Sequence, residues 1–524
     1  MSAIRESVDD RAATIANLAE AVLQGRRLVL ASNRGPIEYH RDAHGRIKSR
    51  RGSGGVVTAL AALSRYVKLS WVASAMSETD RSVASVSPLD APPLVPDGYS
   101  LRTRFVLTEP NEYELYYNVF SNPILWFVQH RLHGLLPHDD LRQVATTAFR
   151  NGYLPVNRAF AGALLREVRH GDGAPLVMLH DYHLYLTAGF VRAQEPCVFL
   201  QQFVHIPWPE PADWQILPAE IVRALCRGLL ANDIVGFQTK RCAANFMATC
   251  AAVLPGARVD HGRGAIGLNG RRTLVRAYPI SIDVQALRQV AWSPAVAEYE
   301  RRLGPLRGAQ TIVRVDRLDP SKNVLTGFQA FEMLLARRPD LRGRVKFLSF
   351  LVPSRTGIPE YRRYAQSVFA AIEGINARYG RDGWQPIDLF YENNYPQAIA
   401  GMRLYDVLMV NSSHDGMNLV SKEGPIVNQR DGVLVLSQGA GSHEELGGSA
   451  LSIAPHDVEG TARALELALA MPAAERRRRA AALRATIESN DITNWLWEQM
   501  QDIRSSWRRL PLGACGPLSL PYAI

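Results

Sequence analysis

The 524-residue sequence is poor in cysteine. Its five cysteines, Cys197, Cys226, Cys242, Cys250 and Cys515, are scattered, odd in number and without a CxxC pair. That spacing excludes a zinc knuckle and suggests no disulfide framework, as expected of a protein in a reducing cytoplasm. No apolar run approaches the roughly 18 residues that would suggest a membrane span, so no membrane partner is expected. The opening stretch, residues 1–26, carries acids early and lacks the basic start, apolar block and cleavage site of a secretory signal. It reads as an appended helix or a loose tail. There is no internal repeat at a solenoid period, no low-complexity segment, and no base-stacking motif of a nucleic-acid binder. The formal net charge is +10. Its densest basic run, Arg476 to Arg479, lies in an alanine-rich helical pattern and reads as a solvated face, so nucleic acid is not an expected partner.

What the sequence does contain is an alternation of short β-rich apolar runs with longer helical patterns, the mark of α/β parallel sheets covered by helices. One series runs through "RLVLAS", "LSWVASAM", "PLVMLHD", "CVFLQQFVH", "DIVGFQT" and "LVRAYPI"; a second runs through "TIVRVD", "VKFLSFLV", "DLFYEN", "YDVLMVNS", "VLVLSQ" and "LSIAP". The length suits two domains, and the expected division is a first lobe over 27–282, a second over 283–490, a helix over 491–512 that packs back across the hinge, and a tail over 513–524. Two doubly wound lobes would face a central cleft from the carboxyl ends of their strands, where ligands of such sheets bind.

Four strand exits carry polar groups unsuited to a buried loop. After "SNRGP", which holds Arg34, the glycines Gly52, Gly54 and Gly55 leave backbone amides bare before a helical run. They suit a simple turn or the close approach of an anion or sugar. "LHDYH" and "FVHIPWP" contribute Asp181 and His205. The HxxH spacing of His180 and His183 has no acidic partner, and no catalytic metal is expected from it. Asp181 suits either gripping sugar hydroxyls or capping the next helix. "VDRLDPSKN" places Arg317 and Lys322 about a proline turn, as an exposed turn or as a pair able to neutralise a diphosphate. In "HDGMNLVSKEG", Asp415 and Gly416 make a turn and a helix follows, so Gly416, Met417, Asn418 and Leu419 offer backbone donors. Glu423 could accept both hydroxyls of a ribose there.

Taken together, "SNR", "YYNVFSNPILW", "HDYHL", "HIPWP", "GFQT", "RLDPSKN" and "DGMNLVSKE", in this order between Arg27 and Trp507, resemble the trehalose-6-phosphate synthase family. These are retaining glycosyltransferases of family 20 with two Rossmann-like lobes, the GT-B fold. The resemblance implies transfer of glucose from UDP- or GDP-glucose to glucose 6-phosphate, with retention and without a cofactor or catalytic metal. It also leaves room for a homo-oligomer. The implied mechanism is same-face attack by the acceptor hydroxyl, with the leaving phosphate oxygen as base. By the same resemblance Gly54 and Gly55 would lie beside the donor phosphates, Arg317 and Lys322 would hold the diphosphate, and Asp415 would contact the glucose. The amides of Gly416, Met417, Asn418 and Leu419 would hold sugar and phosphate, Glu423 would take the ribose, and His205 would stand near the transferred sugar. Arg34 and Arg355 would grip the acceptor phosphate, with Tyr117, Trp126 and Asp181 completing that pocket. Against the common pattern, Asp316 replaces glutamate, Asn323 glycine, Trp208 phenylalanine and His414 arginine. "HIPWP" and "DPSKN" also resemble validoxylamine-phosphate synthases, which couple cyclitols. A glucosylglycerol-phosphate synthase is a further variant of the reading.

Overall fold

The computed structural model describes residues 17–51, 68–86, 101–136, 140–170, 175–381 and 383–507. It divides into two compact units, one of Met1–Tyr278 with Trp495–Ile524 and one of Pro279–Asn494.

The first unit is built on a nine-stranded sheet. Its parallel strands are β1 (Leu28–Ser32), β4 (Leu69–Ser74), β5 (Leu101–Val106), β6 (Leu176–His180), β7 (Phe199–Val204), β8 (Ile234–Phe237) and β11 (Arg271–Ala277). β9 (Arg258–Asp260) and β10 (Ala265–Leu268) extend one edge antiparallel, and β2 (Ile37–Arg41) with β3 (Ile47–Arg51) forms a separate hairpin. β1, β4, β6, β7 and β8 are buried along their whole length, as strands covered on both faces must be, and this is why they read as continuous apolar runs. The strand order is β5-β4-β1-β6-β7-β8-β11-β10-β9. The chain therefore winds outward from β1 to β5 and then restarts on the other side with β6, which makes a topological switch point between β1 and β6. The helix Ile492–Trp507 supplies Trp495, whose ring meets Phe203 edge-on at 5.3 Å, and Gln499, which accepts from Gln201 at 2.8 Å. Asp502 on the same helix accepts from Tyr278 at 2.7 Å.

The second unit carries a six-stranded parallel sheet: β12 (Gln310–Arg317), β13 (Val345–Val352), β14 (Ile387–Tyr391), β15 (Val407–Val410), β16 (Val433–Ser437) and β17 (Leu451–Ile453). Its order, β14-β13-β12-β15-β16-β17, repeats the pattern, with the switch point between β12 and β15. The pleat divides the core in two: Phe347 and Leu351 of β13 pack with Phe328, Phe331 and Val368 on one face, while Leu348 and Phe350 pack with Ile399 and Met402 on the other.

Cys226, Cys242 and Cys250 are buried thiols outside any disulfide. Cys197 is disulfide-bonded, which corrects the expectation of no disulfide at that residue. No helix among the described residues is long and apolar enough to cross a membrane.

Candidate active site

In the first unit the sequence-predicted residues collect at the carboxyl ends of β1, β6 and β7, which are neighbours across the switch point. Arg34 follows β1 and is exposed, with Nη2 3.5 Å from the Tyr117 hydroxyl. Tyr117 sits on an unusual element: residues Leu115–Leu125 form a π-helix, a widened turn that recurs at functional sites. The Tyr117 ring stands in a row of near-parallel rings, Tyr113 to Tyr117 at 5.6 Å and Tyr117 to His183 at 5.8 Å. Trp126, just beyond, is buried and stacks on His130 at 3.9 Å. Tyr113 and His183 belong to this wall; the aromatic density of "YELYYNVF" is the signal that could have found Tyr113, while His183 is read only through its HxxH spacing.

Asp181 leaves β6 with φ +73° and ψ 175°, a conformation that costs a non-glycine residue energy and clusters at functional sites. It makes no side-chain cap to the short helix Tyr182–Leu184. Instead its Oδ1 accepts from the His205 amide at 3.3 Å, tying the ends of β6 and β7 together. His205 is buried, one ring nitrogen facing His180 at 3.2 Å and the other Gln238 at 3.4 Å. Burial, then the neighbouring His180, holds its pKa well below the usual histidine range, and burial brings His180 down to about 3. Both rings are therefore neutral. With both nitrogens of His205 engaged inside the unit, the ring is a fixed polar wall and not a free base. Gly54 and Gly55 lie outside the described residues.

In the second unit Arg317 ends β12 and is exposed, and the turn after it carries Lys322. Lys322 Nζ forms an ion pair with Asp415 Oδ2, which also accepts from the Ser412 hydroxyl at 3.1 Å and from Asn418 at 3.3 Å. The two sides of the switch point are joined by backbone as well, Ser413 N donating to the Ser321 carbonyl at 2.9 Å. The amides of Gly416, Met417, Asn418 and Leu419 donate to no backbone carbonyl among the described residues. From the sequence, "NLVSKEG" reads as the beginning of a helix; the structure starts it two residues later. The helix begins at Val420 and spans Val420–Val427, after Asn418 has turned the chain with φ +78°. The four amides thus belong to a turn ahead of the helix, and Glu423 stands in its first turn.

Glu423 Oε1 accepts from the hydroxyl of Tyr395, an exposed ring that sequence reasoning missed. Burial pushes the Glu423 carboxyl up to about 7, against the opposing effect of that hydrogen bond. Arg355, placed with the acceptor group by resemblance, follows β13 in this unit with φ +45°. Its Nη1 lies 2.8 Å from Asp319 Oδ2 and 2.6 Å from the Tyr361 hydroxyl. Asp319 is fully buried and also accepts from the amide and hydroxyl of Ser321, beside Lys322. Among the described residues no group of three or more His, Cys, Asp or Glu is placed to hold a metal ion.

Three of the four departures from the family pattern are absorbed by packing. Trp208 is fully buried, donates to Thr249 at 3.1 Å and meets Trp214 at 4.6 Å. Asn323 has φ +54°, where glycine or asparagine is favoured, and its amide reaches the carbonyls of Asn411 and Pro455. Asp316 is buried against Arg314. Trp208→Phe is therefore expected to cost about 1–3 kcal/mol of stability through the lost hydrogen bond and volume. Steady-state kinetics should show both Michaelis constants unchanged; altered substrate preference would place Trp208 in the site after all.

Two Rossmann-like units, each with its polar residues at the carboxyl ends of the strands flanking a switch point, define a GT-B glycosyltransferase. Residues 26–505 match the sequence profile of Glycosyltransferase family 20, and the chain belongs to that family. It is 31% identical to the UDP-forming alpha,alpha-trehalose-phosphate synthase of Schizosaccharomyces pombe, over 93% of this chain and 91% of that one. It is 37% identical to a bifunctional trehalose-6-phosphate synthase/phosphatase of Thermoproteus tenax over 73% of this chain, and that match spans 51% of the relative, about half its length. The validamine 7-phosphate valienyltransferase of Streptomyces hygroscopicus subsp. limoneus is 29% identical over 91% of this chain and 94% of its own. A solved structure of the E. coli trehalose-6-phosphate enzyme bound with UDP-2-fluoro glucose superposes with a TM-score of 0.78 at 28% identity, covering 91% of this chain and 99% of that one.

Proposed function

We propose that this chain is a UDP-forming alpha,alpha-trehalose-phosphate synthase, moving glucose from a nucleoside diphosphate glucose to glucose 6-phosphate with retention. The observation that carries the reading is the second unit's switch point, where Arg317, Lys322 and the amides of Gly416 to Leu419 stand together at the exits of β12 and β15. Fixed cations and pre-aimed amides stabilise a diphosphate as its bond to the sugar breaks, without rearranging at that moment. Lys322 is held by Asp415 before any substrate arrives, so the ammonium is pre-positioned and the carboxylate stands where it can take a hexose hydroxyl. Glu423 accepts the ribose hydroxyls. On the acceptor side, Arg34, Tyr117, Trp126 and Asp181 of the first unit hold glucose 6-phosphate.

Relatives of trehalose-phosphate synthase type act on nucleotide sugars and sugar phosphates, and the same substrate classes are assigned here. The proposed chemistry needs no cofactor or metal, since the leaving charge is met by protein cations and amides. The assay is release of UDP from UDP-glucose with and without glucose 6-phosphate. Release that depends on the acceptor supports the reading, and release only with a cyclitol phosphate or glycerol 3-phosphate as acceptor would replace it.

The raised pKa of Glu423 gives a pH signature. In the free protein the carboxyl is protonated below about 7, and a protonated carboxyl has lost part of its accepting capacity. Donor binding therefore favours the ionised form and strengthens as pH rises from 6 to 8. The contribution to fold stability has the opposite sign: the folded pKa lies above the ordinary 4.5, so stability falls as pH rises from 4.5 to about 7 and changes little above that. Titrating UDP affinity against pH in the native protein and in Glu423→Gln checks this. The variant should lack the component centred near 7, and identical profiles would remove Glu423 from the donor site.

A further inference from the structure

A fully enclosed guanidinium stands behind the Lys322 turn. Arg314, in the middle of β12, has no exposed side-chain surface. Its Nε donates to Asp316 Oδ2 at 3.1 Å, and its Nη2 donates to Asn411 Oδ1 at 2.6 Å and to the Lys322 carbonyl at 3.1 Å. Its Nη1 donates to the Val324 carbonyl at 3.3 Å. Asn411, just past β15, donates in turn to the Asn323 carbonyl at 2.9 Å. Three consecutive carbonyls, those of Lys322, Asn323 and Val324, are thus fixed by Arg314 and its partner Asn411.

Burying a charged pair is costly, and an apolar side chain of similar volume would commonly fill such a space with equal or better stability. What an apolar side chain cannot do is direct a backbone, whereas the rigid fork of a guanidinium fixes several acceptors at once. The surroundings are shaped to this fork. A Cβ on Gly327 would stand 2.5 Å from Arg314 Nη1 and 3.2 Å from Asn411 Nδ2, so the helix after the turn approaches closely only because residue 327 has no side chain. The network also spans the switch point, joining the β12 exit that bears Lys322 to the β15 exit that leads to Asp415.

We infer that Arg314 is a positioning residue for the reaction: it touches no substrate, but it sets the backbone from which Lys322 reaches the diphosphate. This rests on the donor-site reading of Lys322 given above. Asp316 is the counter-charge beside the buried guanidinium. The test is a double-mutant cycle with UDP as the binding probe, comparing Arg314→Met, Lys322→Ala and the double variant. Arg314→Met should lower kcat on the order of 10- to 100-fold, as small displacements of a catalytic group do. It should weaken UDP binding and leave the acceptor Michaelis constant within about twofold. In the Lys322→Ala background the same replacement should cost less than about threefold, because the group it positions is already gone. Equal losses in both backgrounds, or a lowered Tm with normal kcat and UDP affinity, would overturn the inference and leave the donor-site reading standing. Normal turnover by Lys322→Ala alone would overturn that reading and this inference with it. If Arg314→Met does not fold, Asn411→Leu serves in the same cycle, since it frees the Asn323 carbonyl but keeps the Arg314–Asp316 pair.

Discussion

Lys322→Ala is expected to lower turnover at least about a hundredfold, the scale on which removing a pre-aimed stabiliser of developing charge is felt. The ammonium is held against Asp415 at the end of a turn clamped from behind, so its position is set before the donor binds. Removing it deprives the leaving diphosphate of a fixed cation and leaves Asp415 without its charge partner, so the loss should fall on kcat more than on acceptor affinity. Arg317→Ala, which removes an exposed cation at the end of the same strand, should act in the same direction. Steady-state assay of UDP release checks both, and near-normal kcat in the two variants would show that the diphosphate is held elsewhere.

The second large effect is expected on the acceptor. Arg34→Ala should raise the glucose 6-phosphate Michaelis constant roughly 10- to 100-fold, the value of a charge-assisted hydrogen bond to a phosphate, and Arg355→Ala is the comparison. The two should differ. Arg34 is exposed, and the Tyr117 hydroxyl it faces is only partly buried. Arg355 is paired with the fully buried Asp319, which organises the turn next to Lys322. Arg355→Ala should therefore lower the Tm and weaken the donor, while Arg34→Ala should do neither. Kinetics against each substrate with a melting curve for each variant decide this, and equal effects on both substrates from Arg34→Ala would misplace the acceptor phosphate.

Much of this architecture was legible in the sequence because parallel strands buried on both faces are written as apolar runs. Each of the twelve β-rich runs overlaps a strand, from "RLVLAS" at β1 to "LSIAP" at β17. The strands that were not read are those whose side chains do not have to be apolar. β5 is an edge strand carrying Arg102 and Arg104, β2 and β3 pair only with each other, and β9 and β10 are short and antiparallel at the opposite edge. The basic run was only partly a solvated face. Arg477 and Arg478 are exposed, but Arg476 donates to the carbonyls of Arg430 and Asp431, and Arg479 to those of Ser449 and Ala450.

At the site, motifs pointed to the strand exits but not to how the residues there are held. The π-helix under Tyr117 has no periodicity that sets it apart from an ordinary helix. The start of the helix at Val420 depends on Asn418 adopting a left-handed conformation, a choice made by tertiary contacts. Arg314 in "TIVRVD" reads as a polar residue on a strand. Only the fold brings Asp316, Asn411 and a side-chain-free Gly327 around it. The departures at Asp316, Asn323 and Trp208, which read in sequence as questions of substrate, belong to the scaffold.

The most direct test of the central claim is to identify the product formed from UDP-glucose and glucose 6-phosphate. The purified protein is incubated with both, the product mass is recorded, and the anomeric linkage is read by NMR. A disaccharide phosphate with both anomeric carbons in the α configuration, formed together with UDP, is the expected result. No transfer to glucose 6-phosphate, or a β linkage to the transferred glucose, would contradict the account.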